Sequence, residues 1–80
     1  MSEITGAQIR AARALLRWTA EHLAESASVG LSTVRRAEAD DSAPAITAAN
    51  LKLLRITLEA AGVEFIPTNG GGVGVRFKKP

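Results

Sequence analysis

The sequence predicts a mainly α domain of four to five helices, closed by a C-terminal β-hairpin or strand pair. Three observations carry that expectation. Thr5, Thr19 and Thr47 each precede a stretch whose apolar residues recur at helical spacing, where a threonine hydroxyl can accept from a free first-turn N–H. Beyond Gly62 the pattern changes to two short runs of alternating apolar residues around a glycine-rich reversal. Finally, 80 residues that are 46% hydrophobic and contain no cysteine suit one domain with one modest core and no disulfide framework.

The first helix is expected from its cap at Thr5 to Arg17. Ile9, Ala12 and Leu16 form the buried stripe, with Arg13 at its edge. Arg10 and Arg17 share a neighbouring exposed face. They are candidate phosphate contacts, although a solubilising pair fits them equally well.

Thr19 opens the next helix. The residue three positions on is His22, so the reciprocal half of a capping box is missing, while Glu21 still places a carboxylate in the positive first turn. Leu23, Ala24 and Ala27 share one face, and the small Ala24 lets a second helix cross closely. Ser28-Val29-Gly30 is a turn around one apolar plug, and Gly30 can cap the helix from Leu31 to about Ala39. Two short helices about a tight turn, in this order, read as a helix-turn-helix. On the second of them Val34 and Ala37, flanked by Thr33, point inward. Ser32, Arg35 and Arg36 point outward, with Leu31 at the margin. Adjacent arginines and a serine suit a major groove, because a guanidinium can donate twice to guanine; the plainer alternative is a solvated helix face.

After a loop containing Pro44, Thr47 caps a helix over Ala48 to Ala61, and Gly62 supplies a left-handed stop. Leu51, Leu54, Leu58 and Ala61 form one apolar stripe. Leu53, Ile56 and Ala60 form a second on nearly the opposite side, which the C-terminal segment, another subunit or both must cover. Val63–Ile66 and Val73–Lys78 read as strands, with Val73, Val75 and Phe77 on one face and Asn69-Gly70 at the reversal. Gly70, Gly71, Gly72 and Gly74 are a loop rather than a phosphate cradle, since no helix follows them. A lone two-stranded hairpin is marginal, so pairing with a second copy into a four-stranded sheet is expected. The candidate dimerisation set is Leu53, Ile56, Ala60, Phe65, Val73, Val75 and Phe77. Residues 1–62 form the helical part, and 63–80 a β extension of the same domain.

From about Ile9 to Leu58 the chain resembles the Cro and phage-repressor (XRE-type) helix-turn-helix regulators. The resemblance implies a buried ion pair between Arg13 and Glu38, core positions at Ile9, Leu16, Trp18, Leu23, Val29 and Val34, and base-facing positions at Leu31, Ser32, Arg35 and Arg36. With Thr33, Thr19, Arg10 and Arg17 beside them, these make the candidate DNA-binding set. The chain departs from the pattern at Ala20, where a polar residue usually helps hold a phosphate, and at Ser28 and Asp40, where glycines are frequent. The loop Asp40-Asp41-Ser42 is acidic where relatives often present basic residues.

The resulting expectation is a homodimeric transcription regulator, a repressor occupying an inverted-repeat operator in double-stranded DNA. The alternative is an antitoxin or other interaction module whose C-terminal segment binds a partner protein. Catalysis is not expected: the single histidine, His22, has no nucleophile or metal partner at ligand spacing, and no cofactor or metal is called for. A net charge of +2 suits DNA without arguing for it. With no signal-like or membrane-spanning run, a cytoplasmic location and no membrane partner are expected.

Overall fold

The computed structural model describes residues 4–79. In chain order it contains α1 (Gly6–Leu16), α2 (Ala20–Ala27), α3 (Leu31–Glu38), α4 (Ala48–Ala60), β1 (Val63–Ile66) and β2 (Gly74–Phe77). The domain is thus small and mainly helical, with four helices and a two-stranded antiparallel sheet among the described residues. None of the described helices is long and apolar enough to cross a membrane.

Local chemistry sets the helix ends. The Thr5 hydroxyl accepts from the Gln8 N–H at 3.1 Å, and the Gln8 side-chain oxygen accepts from the Thr5 N–H at 2.9 Å, completing a capping box. Thr19 and Thr47 accept from the backbone N–H of His22 and Asn50 at 3.0 and 3.1 Å. At the other end, α1 and α2 each stop on a residue in the left-handed region, Arg17 at φ 58° and Ser28 at φ 59°. The next N–H in each case reaches back to the preceding helix, Trp18 to the Arg13 carbonyl at 2.9 Å and Val29 to the Ala24 carbonyl at 3.0 Å. These are Schellman-type stops made without glycine. Gly30 caps α3 without a side-chain bond, and α3 ends at Glu38 rather than Ala39. Similarly α4 ends at Ala60, with Ala61 as its cap and Gly62 turning the chain at φ 111°.

One core takes fully buried residues from every element except β2, which adds the half-buried Val75. Ile9 and Ala12 of α1, Leu23, Ala24 and Ala27 of α2, Val34 and Ala37 of α3, Leu51, Leu54 and Leu58 of α4, and Val63 and Phe65 of β1 are all buried together. Leu16, Trp18 and Val29 are half-buried against them. Phe65, expected at a dimer surface, is therefore a correction: its side chain completes this chain's own core, and Val75 packs against that core beside it.

The hairpin pairs Val63 with Phe77, Glu64 with Arg76, Phe65 with Val75 and Ile66 with Gly74. Directly opposed residues share a face, so Val63, Phe65, Val75 and Phe77 line one side and Glu64 and Arg76 the other. On the outer side, Arg76 donates to both carboxylate oxygens of Glu64, at 3.3 and 3.0 Å. Strand β2 begins one residue later than expected. Val73 follows Gly72, whose φ of 85° places it in the reversal, and so falls outside the paired register. The strands also leave the second stripe of α4 uncovered. Leu53 and Ile56 remain exposed, Ile56 at 51%, and so do Ala60, Val73 and Phe77.

Two residues of α1 that sequence patterning passes over fix its place. Gly6 lies so close to the end of α3 that an added Cβ would stand 1.9 Å from the Asp40 carbonyl oxygen and 2.6 Å from that of Ala37. Gln8 is buried, and its amide donates to the carbonyls of Ile66 and Gly74 at 3.1 and 3.0 Å, tying the two strands to α1.

Candidate functional site

The candidate site is the outer side of α3, and its geometry begins with what is buried beneath it. Val34 and Ala37 are fully buried, so the helix cannot rotate without opening the core. Three contacts from α1 then hold its C-terminal end. Gly6 gives the close backbone approach, and its N–H donates to the Ser42 carbonyl at 2.9 Å just beyond the helix. Arg13 donates to both oxygens of Glu38 at 2.9 Å and to the Trp18 carbonyl at 3.0 Å. The Glu38 side chain is 9% exposed and that of Arg13 25%, which makes this a half-shielded, bidentate ion pair. The hydrogen bond to Glu38 raises the already high pKa of Arg13, with burial opposing that shift. The third contact is Arg10, whose guanidinium donates to the Glu38 carbonyl and also to the carboxylate of Asp41.

With one side anchored, the other is presented. Ser32, Arg35 and Arg36 are exposed, while Leu31 and Thr33 are half-buried at the margin and Leu31 packs against the core. Arg35 lies 3.9 Å from the Glu21 carboxylate of α2, both side chains being about two-thirds exposed. Such a pair is weak and readily surrendered. Among the described residues no carboxylate lies within ion-pair distance of Arg36. The span from Ser32 to Glu38 is about 9 Å along the helix axis, short enough to sit within a major groove about 12 Å wide.

The flanking candidates fall differently. Thr19 is exposed at the start of α2, its hydroxyl oxygen occupied by the cap and its O–H still able to donate. Arg17 is exposed at the left-handed end of α1. Arg10, expected to be its equivalent, is already engaged within the chain. His22 sets its ring edge-on to Trp18, with centroids 4.5 Å apart at 73°.

No protein-family model matches this chain, and neither does any curated protein sequence.

The residues that sequence reasoning missed are those that position α3 and the hairpin from a distance. Thr5-Gly6-Ala7-Gln8 carries a capping-box spacing, a local signal for Gln8 that was open to reading. Its second role, bridging two strands more than fifty residues away, has no local signal. The same holds for Gly6, whose role is a close approach between segments distant in sequence.

Proposed function

We propose that this protein is a sequence-specific DNA-binding transcription regulator of the XRE helix-turn-helix type, a homodimeric repressor that occupies an inverted-repeat operator. The observation that carries the reading is α3 itself: a short helix pinned on one side and at its end, offering Ser32, Arg35 and Arg36 on the other. In this reading α3 enters the major groove, Arg36 and Arg35 donate to guanine edges, and Ser32 makes a shorter base or phosphate contact. Leu31, Thr33 and Thr19 sit at its border.

The dimer in this proposal uses the exposed stripe of Leu53, Ile56 and Ala60 together with Val73 and Phe77 at the rim of the hairpin. In this reading the two-fold axis runs through that surface, and two α3 helices about 34 Å apart, one turn of duplex, would meet successive major grooves, which makes the operator an inverted repeat. The same apolar surface favours a second reading, an interaction module that binds a partner protein there.

Selection of binding sites from random-sequence DNA tests the first reading. The wild type is expected to enrich an inverted repeat, and Arg36→Ala to lose about 1 to 3 kcal/mol of affinity and relax one position in each half-site. An unchanged site profile for Arg36→Ala refutes the assignment of that residue. Light scattering of Ile56→Glu separates the two readings of the apolar surface, since only the homodimer predicts a change of mass in the protein alone.

A further inference from the structure

We propose that Asp41 is a built-in competitor for the DNA backbone, occupying the N–H group of Arg10 that a phosphate oxygen takes when the duplex docks. This rests on the DNA-binding reading and adds to it a residue that sets affinity. The guanidinium of Arg10 has two unequal partners. One N–H is fixed on the Glu38 carbonyl, at the end of α3, where a cation also complements the negative end of the helix. The other points to Asp41, whose side chain is 81% exposed. An ion pair so open to water is screened and costs little to exchange.

Asp41 is distinct from the acidic residue beside it. The Asp40 carboxylate accepts from the Ser42 N–H at 2.9 Å and from the Ser42 hydroxyl at 2.7 Å, which holds the turn after α3 and lowers its pKa. Asp40 is a turn former. Among the described residues the side chain of Asp41 pairs with Arg10.

Position makes the exchange possible. Glu38 follows Arg35 and Arg36 by only two or three residues, about 3 to 5 Å along the axis, so a groove that receives those arginines brings its bounding phosphate strand past the end of the helix. There Arg10 is already oriented by one bond and presents an N–H to the outside. A guanidinium held in this way offers a phosphate the geometry it offers a carboxylate. The acidic loop thus lowers affinity for all sequences alike while leaving the choice of bases to Ser32, Arg35 and Arg36.

The test compares isosteric replacements, Asp41→Asn and Asp40→Asn, on the duplex that the wild type enriches from random-sequence DNA and on an unrelated duplex. Both variants remove one negative charge from the same loop. Asp41→Asn should tighten binding to both duplexes about three- to tenfold at low salt, and steepen the log–log salt dependence by up to about 0.9, because no freed carboxylate then takes up a cation to offset the one that the phosphate releases. Asp40→Asn should change affinity less than about twofold on the same electrostatic grounds. In an Arg10→Ala background, checked for folding by its melting curve, Asp41→Asn should do no more than Asp40→Asn, a change of less than about twofold. Equal gains from the two asparagine variants, or a gain that survives loss of Arg10, overturn the proposal while leaving the DNA-binding reading standing. Enrichment of no DNA by the wild type overturns both.

Discussion

Replacing Glu38 with glutamine probes the contact that fixes α3 most directly. The carboxylate accepts two hydrogen bonds from Arg13 at 2.9 Å, and its side chain is 9% exposed. Glutamine keeps one acceptor oxygen and nearly the same volume, so the variant loses one charge-assisted bond and leaves a guanidinium without its counter-charge. Breaking a deeply buried pair costs about 3 to 5 kcal/mol. Arg13 is 25% exposed and keeps the Trp18 carbonyl, so water and that acceptor recover part of the loss. The expected destabilisation is about 2 to 3 kcal/mol. For a domain of this size that lowers the melting temperature by about 10 to 20 °C. Thermal melts followed by circular dichroism at neutral pH measure it. Joint replacement, Arg13→Met with Glu38→Leu, should recover at least half of the loss, because it removes both charges and restores apolar volume. A fall of less than about 4 °C for Glu38→Gln, as a surface pair would give, shows that the pair does not hold α3 in this way.

Three further outcomes are expected. Gly6→Ala should destabilise by about 3 kcal/mol despite the better helix propensity of alanine, because backbone oxygens of Ala37 and Asp40 occupy the space its Cβ needs; an unchanged urea midpoint counts against that packing. Ser28→Gly should stabilise by about 0.5 to 1 kcal/mol, since the left-handed backbone at φ 59° strains serine by more than the extra entropy of glycine costs; a lower midpoint refutes this. Glu64, held below its ordinary pKa by hydrogen bonds from Arg76, adds stability that is present above the unfolded carboxylate value of about 4.3 and is lost as pH falls through the lower folded value. The melting-temperature gap between wild type and Glu64→Gln should therefore close in acid; a gap independent of pH excludes the linkage.

What the sequence reveals of this fold is what local chemistry decides. The caps at Thr5, Thr19 and Thr47 are side-chain effects within one turn, and the helices begin where those residues place them. The two-sided character of α4 is likewise visible, because Leu53 and Ile56 interrupt a period that Leu51, Leu54 and Leu58 already satisfy. The fate of Phe65 is not visible in this way. An alternating strand has an apolar face whether it covers its own core or a neighbour's, and only the packing of β1 on α1 and α4 decides the matter. The exposure of Ser32, Arg35 and Arg36 follows from the wheel of α3, whereas the engagement of Arg10 depends on where the loop after Glu38 turns. The turn there is set by Asp40 and Ser42 together with the close approach of Gly6, a conjunction that helical periodicity does not encode.

The clamp formed by Gln8 has a consequence for how the molecule opens. Its amide joins the first turn of α1 to carbonyls at the far end of the hairpin, while Lys78 returns to Gly62 through its backbone N–H and to Glu59 through its ammonium group. The hairpin therefore cannot peel away as an independent flap: releasing it strands a buried amide in α1 and uncovers Val63 and Phe65. Native-state hydrogen exchange should find the amides of the first turn of α1 and those of the paired strands opening in a single cooperative unit, although they lie near opposite ends of the chain. Closing so long a stretch of chain costs entropy before it gains contacts, so these contacts are expected to form late in folding, after the local helices.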